Sequence, residues 1–225
     1  MLAIATSLAV VLAVASVVGA REDAAANDAE SAPAVALREP TLFDGIEQHG
    51  AALGSPDAPL TLVEYADLQC PYCARWAHET LPTLIEDYVK PGKLRIVFNG
   101  LAFIGEDSDS ALRTAIAAGR QNHLWDVVHA LYVHQGGENA GWVTDELIRV
   151  TTGGVAGLDV ERMLDVRRES TIEAELKHAA DEAREAGIAG TPAFQLGPTG
   201  GALELLRVDL LGPEGIVPAL EAALA

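Results

Sequence analysis

The stretch Val63-Glu-Tyr-Ala-Asp-Leu-Gln-Cys-Pro-Tyr-Cys73 decides the fold. It continues a β-branched and apolar run, Leu60-Thr-Leu-Val-Glu-Tyr65, of strand character, reached through the turn-rich Ser55-Pro-Asp-Ala-Pro59. Residues 74–89 then place apolar side chains at Trp76/Ala77, Leu81, Leu84/Ile85 and Tyr88/Val89, the helical period. Pro91-Gly92 ends that helix, and Leu94-Arg-Ile-Val-Phe98 is the next strand. Strand, helix and strand in this order predict a parallel pair joined by a helical crossover.

Cys70 and Cys73 are the two cysteines of the chain, and they sit where the first strand feeds the first helix. Backbone N–H groups at a helix start favour negative charge, so the first cysteine is favoured as a thiolate. A low-pKa thiolate is a good nucleophile at neutral pH and a good leaving group. A spacing of one helical turn brings the sulfurs together, so Cys73 can resolve a mixed disulfide formed at Cys70. Pro71 suits the first helical turn, where its missing N–H would have no partner. A structural zinc site needs four ligands, and no other cysteine exists. An inert disulfide stays open as a reading, although so short a loop restrains little unfolded-state entropy.

Further along, residues 108–187 read as helical throughout. Asp107, Ser108, Asp109 and Ser110 offer N-caps before a helix over 111–120, and 124–133 continues it. Two short amphipathic helices follow over 145–150 and 159–166, broken by Gly153-Gly154 and Gly157. Ser170-x-x-Glu173 predicts a capping box for a helix to about residue 186, closed by Gly187. The chain then returns to β structure over 192–196 and 203–208, with Gly197-Pro-Thr-Gly-Gly201 as the turn of an antiparallel hairpin. A last helix covers 214–224. The order is β-α-β, a helical block, then β-β-α.

Two positions outside the cysteine pair matter. Pro192, after Gly190-Thr191, cannot donate to a sheet and so leaves an unfilled edge at a strand start; by sequence physics alone the bond before it is an ordinary trans one. Glu64 is either a strand-face carboxylate in water or a buried acid beneath the sulfurs, where it could exchange a proton with the resolving thiol. His78 reads as an exposed helix residue, and His123, His129 and His134, spaced six and five apart, do not share one face for a metal. Glu106-Asp-Ser-Asp109 fails the spacing of a calcium loop, and Gly153-Gly-Val-Ala-Gly157 lacks the preceding strand of a phosphate loop. No metal site is expected.

The 225 residues carry 15 Lys+Arg against 33 Asp+Glu, a formal charge of −18, and are 49% apolar. That composition is globular, and the charge argues against nucleic acid as a partner. Residues 1–20 contain no charge, no Pro and no Asn or Gln. They are long enough to span a bilayer core as a helix, whereas Val18-Gly19-Ala20 has the small residues of a cleavage site. The segment is therefore a membrane anchor or a signal peptide cleaved near Ala20, and both place the remainder outside the cytoplasm. The missing basic residues before it hint at a true start further upstream. Residues 21–44 form an acidic, Ala-rich linker, leaving 45–225 as one domain.

The two signatures Val63-Glu-Tyr-Ala-Asp-Leu-Gln-Cys-Pro-Tyr-Cys73 and Gly190-Thr-Pro-Ala-Phe194 resemble those of DsbA-like thioredoxin-fold disulfide oxidoreductases, in the bacterial subgroup with an N-terminal membrane segment. The resemblance covers roughly residues 45–224. It implies an α/β thioredoxin fold with a central mixed sheet, split by a helical insertion at about 105–187. It implies Cys70 as the exposed nucleophile, Cys73 as the resolving thiol, Pro192 as a cis-proline facing them with Thr191 beside it, and Glu64 as the buried acid. Pro71 and Tyr72 occupy the positions that tune the potential. The implied activity is donation of the Cys70–Cys73 disulfide to reduced secreted or cell-envelope proteins, with no cofactor beyond that disulfide and a quinone-linked membrane thiol oxidase as recycling partner. Thr191 departs from the branched apolar residue of the oxidases and is shared with reductases and isomerases of the fold. The rival readings are thus a reductase or isomerase, and a tethered binding protein whose disulfide does not turn over.

Overall fold

The computed structural model describes residues 42–225. The expected anchor or signal over 1–20 and most of the linker lie outside the described residues. The last residues assigned to the linker are packed: Phe43 is buried, its ring 6.2 Å from Trp125 and 5.8 Å from His129. Phe43 therefore packs with the fold, because an aromatic side chain within reach of the core is buried against it.

A six-stranded mixed sheet forms the centre, in the order β1-β2-β4-β3-β5-β6. Strand β3 (Leu60–Asp67) is buried at all eight positions, flanked by β4 (Leu94–Leu101) in parallel and β5 (Ala193–Pro198) antiparallel. A strand buried on both faces reads as a near-continuous apolar run, which is why Leu60-Thr-Leu-Val-Glu-Tyr65 was legible. β6 (Glu204–Leu206) closes one edge, shorter than the 203–208 expected. The opposite edge carries β1 (Gln48–His49) and β2 (Ala52–Leu53), a hairpin whose two-residue strands are too short to show alternation. Gly50 turns it, in the left-handed region at φ +59° that glycine enters without steric cost.

Helix α1 (Pro71–Glu79) starts straight after Cys70, earlier than position 74, with Pro71 in its first turn. The expected single helix to residue 89 is broken: α2 (Leu81–Leu84) and a wider π turn (Ile85–Val89) follow. At the break, Thr80 leaves ideal helical angles and its hydroxyl donates to the Leu211 carbonyl, while Pro82 has no N–H to continue the ladder.

The helical insertion comprises α3 (Glu106–Gly119), α4 (Leu124–Val133), α5 (Asp145–Thr152), α6 (Val160–Val166) and α7 (Ser170–Glu185). Two expected caps are corrected. The helix α3 begins at Glu106, so Asp107 and Ser108 lie inside its first turn and bond to other segments. Ser170 is likewise inside α7, which Glu169 precedes without a side-chain cap, and Glu173 pairs with Arg113. Asp159 does cap α6, accepting from the Arg162 N–H. A 3₁₀ turn (Pro213–Gly215) and α8 (Val217–Leu224) end the chain. One face of the sheet packs on α1 and the helical block around Trp76 and Trp125; the other buries Val63, Tyr65 and Leu101 against Ala183 of α7. Among the described residues no helix is long and apolar enough to cross a membrane.

Candidate active site

β3 delivers the chain to the site at its carboxyl end. Asp67 closes a turn in which its carbonyl accepts the Cys70 N–H at 2.9 Å and its carboxylate the Gln69 N–H at 2.8 Å. Cys70, extended at φ −72° and ψ 118°, is the N-cap of α1, and its carbonyl accepts the Ala74 N–H at 3.1 Å. The sulfur thus sits at the positive end of a helix. Cys73, one turn on, is fully buried, and Tyr72 between them is 61% exposed.

Both cysteines are free thiols. The Thr191–Pro192 bond is cis, and in its thiol form Cys70 donates from Sγ to the Thr191 carbonyl at 3.5 Å. That contact joins the two sequence signatures, which lie 121 residues apart. It also corrects the expected exposure of Cys70: the residue is only 5% exposed, because its N-cap position tucks the sulfur against Thr191.

The two thiols have opposite acidities. Cys70 is lowered to about 6, chiefly by the hydrogen bond from the Cys73 thiol, with the Thr191 side chain and the backbone at Cys73 and Tyr72 adding to it against burial. Cys73 is pushed far up, first by burial and then by its neighbour Cys70. At neutral pH Cys70 is the thiolate and Cys73 holds the proton.

Glu64 lies in the β3 register opposite Phe98 on β4 and Phe194 on β5. Its carboxyl is 1% exposed, and Oε1 has no hydrogen-bond partner. Burial among aromatic neighbours raises its pKa to about 8. It is felt at Cys73, whose acidity it lowers further.

A polar network under the cysteine turn was not read from the sequence. The buried Asp67 carboxylate accepts from Gln69 N–H, from Ser108 Oγ at 2.6 Å, and from the Phe103 and Ile104 N–H groups at 3.1 and 3.2 Å. Gln69 exchanges bonds with Asn139, donating at 3.1 Å and accepting its N–H at 2.6 Å. The Gln135 amide donates to Leu68 O at 2.9 Å and to Cys70 O at 3.3 Å. The Tyr132 hydroxyl reaches Asp67 O at 3.4 Å. Helices α3 and α4 and the loop after α4 therefore hold the turn that presents Cys70. The one local signal was an aspartate ending an apolar strand; apart from Gln69, the partners of its carboxylate lie 36 or more residues away.

His78 is exposed, and its ring lies 5.9 Å from that of His129, while His123 pairs with Asp126 at 3.0 Å. Among the described residues no three His, Cys, Asp or Glu side chains are arranged to hold a metal.

A thioredoxin family model matches residues 47–199. The probable disulfide bond formation protein D of Bacillus anthracis is 31% identical over 144 residues, 63% of this chain and 66% of that protein. The match thus spans slightly under two thirds of that relative's length. Among solved structures, oxidised BdbD from Bacillus subtilis superposes with a TM-score of 0.67 at 20% identity, covering 80% of this chain and 97% of that one. A thioredoxin-like oxidoreductase from Silicibacter pomeroyi gives 0.60 at 27% identity, covering 76% and 90%.

Proposed function

The chain belongs to the thioredoxin family, and from that premise we propose that it is a thiol–disulfide oxidoreductase of DsbA type, acting outside the cytoplasm and donating the Cys70–Cys73 disulfide to reduced proteins. The observation that carries this reading is the placement of Cys70 at the start of α1 with its sulfur 3.5 Å from the Thr191 carbonyl, over a fully buried Cys73. Of the two buried cysteines Cys70 keeps the little exposure there is, 5% against 0% for Cys73, which sets the order of a two-step exchange.

In the oxidised form a substrate thiolate attacks Cys70 Sγ. The Cys70–Cys73 bond breaks, Cys73 leaves with the electron pair, and a mixed disulfide joins the substrate to Cys70. A second substrate thiolate then attacks the substrate's own sulfur in that bond and expels Cys70. The substrate loses two electrons and two protons; the pair gains both electrons. Cys70, at about 6, is the better leaving group of the two, so release favours an oxidised substrate. Glu64, raised to about 8, carries a proton at neutral pH and is the residue to supply it to Cys73 as that sulfur departs.

Direction follows from which form of the pair is stabilised. With Cys70 at about 6, ionisation at pH 7 favours the reduced form by about 1.4 kcal/mol, or about 30 mV. This moves the pair towards oxidising potentials. The apolar residues 1–20 and the stability of disulfides in oxidising compartments support a location beyond the cytoplasm. There, reduced secreted or cell-envelope proteins would be the substrates, and a quinone-linked membrane thiol oxidase the partner that restores the disulfide. Equilibrating the full chain in glutathione buffers tests the direction. A potential more positive than about −220 mV supports the oxidase; one near −270 mV supports a reductase.

A further inference from the structure

A cavity between the sheet, α3 and α7 takes no part in the thiol chemistry. It encloses about 360 Å³, within the range of about 300–1,000 Å³ typical of small-molecule sites. Its walls are largely apolar, formed by Val97, Phe98, Leu112, Ile116 and Leu124. Asn99 lines it too, is only 9% exposed, and has its Oδ1 buried with no hydrogen-bond partner. The other end of the same amide is fixed: Nδ2 donates to Glu182 Oε2 at 3.1 Å, and Glu182 also lines the cavity. An unpaired buried acceptor beside a carboxylate is costly unless something supplies donors.

We propose that this cavity binds a small amphipathic amine, its ammonium group held between Asn99 Oδ1 and the Glu182 carboxylate and its hydrocarbon part against Leu112, Ile116 and Leu124. An ammonium has three donors and no acceptor, so it satisfies both oxygens at once. With N···O distances of about 2.9 Å it bridges oxygens up to roughly 5 Å apart, and these two flank the single amide nitrogen that joins them. An alcohol has one donor and leaves one oxygen unpaired. A carboxylate is repelled by Glu182 and brings no donor. The competing cations are engaged or mobile: Arg120 pairs with Glu175, and His178, 3.4 Å from Glu182 Oε1, has a side chain 74% exposed and free to swing aside. The formal charge of −18 adds a long-range attraction for cations.

Calorimetric titration of the full chain with hexylamine, 1-hexanol and hexanoate tests the site. Saturable one-to-one binding of hexylamine is expected, with the alcohol and the acid weaker by about tenfold or more. Glu182→Gln, at a half-exposed position that leaves folding intact, is expected to weaken hexylamine by a similar factor without moving the Cys70 thiolate midpoint. Asn99→Leu is expected to abolish the preference for the amine over the alcohol. Absence of saturable hexylamine binding overturns the proposal, as does equal affinity for all three probes. Unchanged affinity in Glu182→Gln overturns it even where Asn99→Leu fails to fold.

Discussion

Gln135 holds Cys70 by its backbone: one side-chain amide nitrogen donates to the Cys70 carbonyl at 3.3 Å and to the Leu68 carbonyl at 2.9 Å. Residue 135 follows α4 of the helical insertion, whereas Cys70 belongs to the sheet-to-helix junction of the thioredoxin core. The insertion therefore fixes the orientation of the turn that carries the reactive sulfur. Replacing Gln135 with Leu leaves two carbonyls without this donor. The expected outcome is a loss of about 1–3 kcal/mol in stability, read from denaturant midpoints, together with slower disulfide exchange at Cys70.

Asp67 gathers more donors than any other group in the site, and four of them are lost together in Asp67→Ala. Three are backbone N–H groups, of Gln69, Phe103 and Ile104. Unpaired buried donors make this variant one of the most damaging outside the apolar core, by about 3 kcal/mol or more. Thermal unfolding followed by tryptophan fluorescence checks it, with Ser108→Ala expected to be milder, since it removes only one hydroxyl donor to Asp67.

The thiolate of Cys70 absorbs in the ultraviolet, so its titration is directly visible. A midpoint at about 6 is expected for the reduced protein. Cys73→Ala removes the largest stabilising hydrogen bond and shifts the midpoint upward, while Cys70→Ser abolishes the transition. Because the folded value lies below the unfolded one, this group stabilises the reduced protein fully above about pH 9, and the contribution is lost as the pH falls through about 6. The stability advantage of the reduced over the oxidised form should thus grow from pH 5 to pH 9.

Glu64 acts with the opposite sign. Its folded pKa is raised from 4.5 to about 8, so its favourable contribution is present below pH 4.5 and is lost as the pH rises through about 8. Glu64→Gln keeps the shape without the ionisation. It is expected to be more stable than the parent at pH 9 by upwards of about 2 kcal/mol, with the difference vanishing near pH 4. Disulfide exchange in this variant should slow and lose its dependence on a group titrating near pH 8. A slope of stability against pH unchanged by the substitution would exclude Glu64 as the ionising group.

Much of the frame was local and therefore readable. The β3–α1 junction announced itself because a strand pattern, a helix pattern and Pro71 fall within about twenty residues. Pro192 was placed at a strand start for a similarly local reason, the lack of an N–H. The β1–β2 hairpin escaped because two-residue strands carry no periodicity, and the break at Thr80 escaped because an apolar stripe runs on through it. The network around Asp67 was hidden for a different reason. Ser108, Gln135 and Asn139 are ordinary polar residues until folding brings them under the cysteine turn. Asp107 and Ser108 looked like helix caps by the same local logic, yet their side chains serve contacts with Trp142 and Asp67.

If Cys70 and Cys73 pass a disulfide to another protein, they do so through a covalent intermediate at Cys70. The most direct measurement mixes the oxidised full chain with an equimolar dithiol peptide, quenches with acid, and weighs both species by mass spectrometry. The peptide is expected to lose two hydrogens as the protein gains two. Reduced Cys73→Ala, mixed with the oxidised peptide, is expected to accumulate the peptide as a mixed disulfide on Cys70. A peptide that keeps both thiols while the Cys70–Cys73 bond persists, and no adduct on the variant, would contradict that exchange.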